Sequence, residues 1–282
     1  MTRASASLRI FSEFLTIEEI TEILHLLPSD VRVKGTPRNP RRPSSNVWPY
    51  SVWKLDSGLA GSISFVEHFD TLLEKIEPAR HALASLVDRC KHIDVFMGLF
   101  SEGTSDEENS VAIDHQRIAR LAQLPLDFII DMYPPVCETE HEAQADQRWS
   151  GGALTISRTQ LSCAEITSLL MLEPTRPGAG VFSVSHPISI SKERQEQIIW
   201  ERESILPPST FLDDHLAVLL SLAEERPAAF EQLSHVASLQ LRLWFASNSG
   251  QGSFELGRQN MKRLAALPFD LILEMMPQPP PV

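Results

Sequence analysis

Histidine and carboxylate neighbours are the first residues in this chain that could do chemistry. Glu67-His68 and Asp213-Asp214-His215 fall near equivalent positions of two predicted helices, where a carboxylate beside an imidazole could bind a metal or move a proton. Adjacent helix positions point in different directions, and acidic residues near a helix start complement its dipole, so both runs read as solvated helix starts. Glu138, Glu140, His141 and Glu142 would hold a hard cation only loosely and fit an acidic linker better. No His-Glu-x-x-His, Cys-x-x-Cys or Gly-x-Ser-x-Gly occurs. Cys90 and Cys163 lie in apolar helical contexts and read as core residues. With Cys137 they form an odd set without metal-clip spacing, as expected of free thiols in a reducing cytoplasm. Gly178-Ala179-Gly180 and Gly250-Gln251-Gly252 lack the remaining glycine and lysine of a phosphate cradle and read as turns or loops. The expectation is a protein without catalytic residues, metal or cofactor.

Two charged features could make contacts instead. Arg32, Lys34, Arg38, Arg41 and Arg42, interrupted by Gly35, Pro37, Pro40 and Pro43, form a basic loop followed by Trp48 and Tyr50. Arg38, Arg41, Arg42, Trp48 and Tyr50 are candidate contacts for a phosphate or other ligand. The net charge of −12 and the pI near 5.2 work against nucleic acid or an anionic membrane, and favour internal pairing of that loop with carboxylates. The acidic runs Asp106-Glu107-Glu108 and Glu138, Glu140, Glu142 are candidate partner contacts, since clustered charge steers a basic protein towards its binding face. Trp53 and Trp200 read as core aromatics that anchor a sheet, with ligand stacking as the alternative.

The elements that carry these residues are legible from periodicity. At 282 residues, 43% hydrophobic and 22% charged, the chain is sized for two soluble domains. No apolar run suits a bilayer, and Met1 to Ser7 lacks the apolar core of a signal peptide. Ser7 to Phe14 predicts a strand and Ile17 to Leu27 an amphipathic helix stopped by Pro28. The basic loop and a strand around Trp53 follow. Ser62 to Lys91 predicts two helical pieces broken at Pro78, and Ile93 to Phe100 a central strand. Ser101 to Ser110 reads as an acidic loop, Ile113 to Gln123 as a helix, and Leu126 to Tyr133 as the last strand.

The same order then repeats. Glu19-Ile20-Thr21 with Leu24, Leu26 and Pro28 returns as Glu165-Ile166-Thr167 with Leu170, Leu172 and Pro174, at an offset of 146. Trp200 answers Trp53 at 147, Phe211 answers Phe65 at 146, and Arg263 to Asp270 answers Arg120 to Asp127 at 143. The expected organisation is a first unit over 1–135, an acidic linker over 136–152, a second unit over 153–277 and a proline-rich tail over 278–282. The expected fold is α+β: two tandem homologous α/β-sandwich units, each a roughly four-stranded sheet with packed helices.

These residues resemble the bacterial domain of unknown function 4279. The resemblance rests on Ile20-Thr21, Leu24-His25-Leu26-Leu27-Pro28, Lys34-Gly35-Thr36-Pro37, Trp53 and Asp131-Met132-Tyr133 in the first copy. In the second it rests on Ile166-Thr167, Leu170-Met171-Leu172-Glu173-Pro174-Thr175, Trp200 and the altered ending Glu274-Met275-Met276. It implies a fold and brings no catalytic residues. The functional expectation is a cytoplasmic protein-binding module and pseudo-symmetric monomer, specifically an immunity protein that occludes a basic toxin domain. The alternative is a small-molecule or regulatory sensor with its ligand between the copies.

Overall fold

A computed structural model describes residues 2–39, 41–42, 45–101, 110–133, 148–175, 198–247 and 252–275. The first copy runs β1 (Thr2–Ser12), α1 (Ile17–Leu24), β2 (Asp30–Arg32), β3 (Ser51–Asp56), α2 (Phe65–Ile76), a 3-10 turn (Glu77–Ala79), α3 (Arg80–Leu86), β4 (His92–Ser101), β5 (Ser110–Ile113), α4 (His115–Ala122) and β6 (Asp127–Tyr133). The second runs β7 (Arg148–Ser157), α5 (Cys163–Leu170), β8 (Ile198–Glu203), α6 (Leu212–Glu224), α7 (Pro227–Ser234), β9 (Ser238–Ser247), β10 (Gly252–Leu256), α8 (Arg258–Ala265) and β11 (Asp270–Met275). The α+β class and the tandem organisation are as the sequence predicts.

Local chemistry sets the helix boundaries. Thr16 with Glu19, Ser64 with Glu67 and Ser162 with Glu165 form reciprocal capping boxes that satisfy the first exposed amides of α1, α2 and α5. Pro78 falls in the 3-10 turn between α2 and α3, where the missing N–H interrupts the α-helical ladder. Helix α1 ends earlier than expected: His25 turns left-handed at φ 54°, so the chain leaves the helix before it reaches Pro28.

The sheets do not follow the copies. One has six strands in the order β10-β6-β4-β1-β3-β2, and the other has five in the order β5-β11-β9-β7-β8. Strand β10 of the second copy pairs antiparallel with β6 of the first, and β5 of the first pairs antiparallel with β11 of the second. Each copy therefore closes its partner's sheet. Four strands per copy were expected; β2, β5 and β10 are additional. Strand β5 sits at the end of the stretch read as an acidic loop, and Gly252 opens β10 where a loop was expected. Glycine is required there because a Cβ on Gly252 would fall inside the Phe245 ring. Strand β7 begins at Arg148, inside the stretch read as linker.

Carboxylates reinforce the exchange. Asp127, at the start of β6, accepts a 3.1 Å hydrogen bond from the backbone N–H of Arg258, the first residue of α8. Its counterpart Asp270, at the start of β11, accepts a 2.9 Å bond from the N–H of His115, the first residue of α4. The N-cap of α8 is Gly257, which has no side chain to cap with, so the other copy supplies the negative group that the helix start favours. Helices α4 and α8 pack on each other, and one contiguous apolar core includes Trp53, Phe69 and Phe128 of the first copy with Trp200, Phe230 and Phe269 of the second.

The loop after β8 departs from its counterpart after β3. Trp53 and Trp200, Ser57 and Ser204, and His68 and His215 all stand 147 residues apart, which puts Ile205 at the place of Gly58 and Phe211 at the place of Ser64. Phe211 therefore does not answer Phe65, as its type suggested. It is the N-cap of α6, while Ser64 is the N-cap of α2. Gly58 takes φ 81° without strain, whereas Ile205 is forced to φ 54° with its side chain 67% exposed. Phe211 contributes no capping hydrogen bond and its ring is 74% exposed.

Two outcomes follow from this architecture. Cleavage at a protease site introduced within residues 138–146 should leave both fragments in one species on gel filtration, melting in one transition; separation without denaturant would contradict interlocked sheets. Ile205→Gly and Phe211→Ser should each raise stability by about 1 kcal/mol, one by relieving left-handed strain and the other by restoring a cap. A lowered thermal midpoint for either would contradict the assignment.

Candidate partner-binding site

Strand β2 lies at the edge of the six-stranded sheet, and all three of its residues are exposed. The chain beyond it, read from sequence as an irregular loop, continues as a narrow two-stranded arm. The Gly35 N–H donates to Trp48 O, the Trp48 N–H to Thr36 O and the Arg38 N–H to Asn46 O, each at 2.9 Å, with a bridge between Pro37 and Val47. The tip is tied by Asn39. Its side-chain oxygen accepts from the Arg41 N–H at 3.0 Å and its carbonyl from the Arg42 N–H at 2.9 Å. Gly35, at φ 81°, supplies the turn that starts the arm.

The structure divides the five residues expected here. Trp48 is flanked by two guanidiniums, Arg32 at 4.5 Å and Arg38 at 5.0 Å from its ring. Arg41 and Arg42 stand exposed at the tip. Tyr50 is engaged at the base, where Lys91 Nζ donates to its hydroxyl at 2.6 Å and lies 3.3 Å from Glu13. The Tyr50 bond, foremost, raises the Lys91 pKa. Lys34 Nζ reaches the Glu13 carbonyl at 3.2 Å. The expected internal pairing is confined to Arg32, 3.8 Å from Asp30; no ion pair holds Arg38, Arg41 or Arg42 among the described residues. Exposed Phe14, Val31, Val33 and Val47 lie on or beside the arm. The result is a surface of cations and apolar groups on an ordered support, suited to a protein face or an anion. Asp106, Glu107, Glu108, Glu138, Glu140 and Glu142, and with them Cys137 and Gly178 to Gly180, lie outside the described residues.

The other expected sites resolve into structure. Trp53 is fully buried, and its indole N–H donates to Thr21 Oγ1 at 3.0 Å; Trp200 is equally buried. Burial pushes the Cys90 thiol up to about 11, so it is not a ready thiolate. Among the described residues no group of three or more His, Cys, Asp or Glu could hold a metal ion.

His68 and His215 correct the expectation of a solvated helix start: both face inwards and are buried. His68 Nε2–H donates to the Ala60 carbonyl at 3.1 Å, which leaves Nδ1 to accept from Ser57 Oγ at 2.7 Å. In the second copy His215 Nδ1 lies 2.5 Å from Ser204 Oγ, and Nε2 lies 3.4 Å from Ser150 Oγ. These serine–histidine pairs fasten the end of a strand to the helix that follows. Their signal was the repeated Ser and His at one offset.

A second histidine setting was not foreseen. On the sheet face away from the core, Asp94 is fully buried, with Arg9 Nε at 2.7 Å and His92 Nε2 at 2.9 Å. Asp94 Oδ2 has no hydrogen-bond donor in bonding geometry, and its contact with His92 becomes an ion pair when the imidazole is protonated. The Asp94 contact leads in raising the His92 pKa, Asp127 and Glu255 adding to it against burial. Burial instead lowers that of His215, with Asp214 opposing. Stability from His92 is complete below the unfolded pKa, about 6.5, and is lost as pH rises through the higher folded value. Stability from His215 is complete above about 6.5 and is lost as pH falls towards the lower folded value. In urea melts His92→Gln should therefore lose more stability near pH 5.5 than near pH 8. His215→Gln should lose more near pH 8 than near pH 5.5; losses independent of pH would contradict both assignments.

No helix among the described residues is long and apolar enough to cross a membrane. No curated protein matches the chain. The family described as Domain of unknown function (DUF4279) matches residues 2–135 and again residues 151–276. The chain belongs to this family and carries two tandem copies of its domain.

Proposed function

We propose that this protein is a non-catalytic binding module that acts by stoichiometric occlusion of a partner protein. The observation that carries the reading is the arm. Arg38, Arg41 and Arg42 stand on a hydrogen-bonded support without carboxylate partners among the described residues, beside Trp48 and exposed valines. Cations and aromatics that are ordered before binding lose little side-chain freedom when a partner arrives, which is where interface residues contribute most.

In its specific form the reading is a cytoplasmic immunity protein that neutralises a cognate bacterial toxin. Support for a basic partner comes from the net charge of −12 and from the acidic stretches 106–108 and 138–142. The arm adds a contact of opposite sign, so the interface would be bipolar. A small-molecule sensor is the second reading. Its support is the pairing of guanidiniums with Trp48, since the buried indoles of Trp53 and Trp200 leave the arm as the place for an anionic ligand.

Titration calorimetry against the product of the neighbouring gene tests the first reading. A complex of nanomolar affinity is expected, weakened at least about tenfold, or about 1.4 kcal/mol, by Arg38→Ala/Arg41→Ala/Arg42→Ala. The thermal midpoint of that variant should stay within about 2 °C of the parent, because the three side chains are exposed. A complex indifferent to the triple substitution would remove the arm from the interface. A thermal shift of several degrees with phosphate or nucleotides, lost in the same variant, would favour the sensor.

A further inference from the structure

Three carboxylates meet where β10 and α8 of the second copy join β6 of the first. Asp127, at the start of β6, holds the start of α8 through the Arg258 N–H, and its Oδ1 lies 3.5 Å from Arg258 Nε. Asp94 of β4 is fully buried; Arg9 of β1 takes one oxygen, and Oδ2 has no hydrogen-bond donor in bonding geometry. Glu255 of β10 lies on the same sheet face, because it pairs with Ile129, which pairs in turn with Phe96, two residues from Asp94. Against these three acids stand two guanidiniums, those of Arg9 and Arg258.

His92 fills the place between them. Its Nε2 is 2.9 Å from Asp94 Oδ2, its Nδ1 is 3.7 Å from Asp127 Oδ2, and Glu255 acts on its charge from β10. Its other neighbour is the Phe11 ring at 5.9 Å, which offers no charge. A proton on His92 balances the group; its loss leaves one uncompensated negative charge shared by β4, β6, β10 and the start of α8. The joint between β5 and β11 repeats the backbone without this balance. The register that sets Glu255 opposite Ile129 sets Ala112 opposite Ile272, and Asp270 takes the part of Asp127. Ser238 and Gln240 stand where His92 and Asp94 do, and Thr155 where Arg9 does. The imidazole at that joint, His115, belongs to a helix start tied to Asp270 through a backbone N–H.

We infer that His92 is a proton-operated latch on one of the two joints: charged, it holds β10 and the start of α8 on β6, and neutral, it lets them part and opens the outer edge of β6 to a pairing strand. The opening is local, since β10 is an outermost strand with β6 as its sheet neighbour, whereas β4 is held on both sides by β1 and β6. Led by Asp94, the acids outweigh burial in raising the His92 pKa. The latch is therefore closed below about 6.5, the unfolded value, and loosens as pH rises through the higher folded one. This device is separate from the arm and does not depend on the arm's role.

The test is native-state hydrogen exchange on the full chain, read at residues 253–256 and, in the same sample, at residues 110–113. Taking the ratio of protection at the two joints cancels the pH dependence of exchange itself. Between pH 5.5 and pH 8 that ratio should fall at least about threefold in the parent and stay level in His92→Gln. A constant ratio in the parent would overturn the inference, and so would a fall that persists in His92→Gln. Should His92→Gln fail to fold, Glu255→Gln alters only an exposed side chain and should shrink the fall; an undiminished fall there would be equally fatal.

Discussion

Strand β10 lying against β6, with β5 against β11, is the constraint on which the other features depend. A sheet edge is a row of unpaired amides and carbonyls, and each copy alone would expose one beside an apolar face. Reciprocal exchange pairs the outer sides of β6 and β11, leaving the short β10 and β5 as the outermost strands, and draws α4 and α8 together, where Asp127 and Asp270 cap each other's helices. The apolar side chains of the exchanged strands, Val111 and Ile113 in one direction and Phe254 and Leu256 in the other, then belong to the core that both copies share. The arm and the Ile205 loop can diverge because neither takes part in this closure.

The faces turned away from the helices show how freely charge moves once that frame is fixed. In the first copy Arg9 pairs with Asp94 and lies over the Phe96 ring at 4.0 Å. At the corresponding places the second copy has Thr155, Gln240 and Arg242. Arg242 reaches across the parallel pairing to Glu274 at 2.6 Å, both nearly buried. Glu274 stands where Asp131 accepts from the Tyr133 hydroxyl in the first copy. The altered ending of the second copy has thus exchanged a carboxylate–tyrosine contact for a buried ion pair. Such a pair adds little net stability over a well-packed apolar pair, yet losing either partner strands a charge.

Much of the fold was readable because the relevant forces act within a few residues. Capping boxes, helical spacing and the paired tryptophans announced their elements, and the offset between copies announced the duplication. The exchange was not readable. Val111 to Ile113 and Gly252 to Leu256 look the same whether they pair at home or abroad, because alternation encodes a face and not a neighbour. The basic stretch is legible as charge, but its two-stranded pairing is not, and net charge is a whole-molecule quantity that says nothing of whether Arg41 can reach a carboxylate. The role of His68 was hidden for a similar reason: sequence gave its helix but not the inward direction of the ring. By residue type Phe211 matches the nearest aromatic, Phe65, whereas the cap geometry matches it to Ser64.

The position of β10 bears on the order in which the chain leaves the ribosome. Residues 252–256 are made well after residues 127–133, so the outer rim of β6 must wait through the synthesis of more than a hundred residues before its mate arrives. During that interval a hydrogen-bonding template lies open beside Phe128 and Ile130, a setting in which nascent chains aggregate or recruit chaperones. Completion of the six-stranded sheet therefore waits on residues 252–256, and a ribosome that stalls ahead of them releases a product with an adhesive flank.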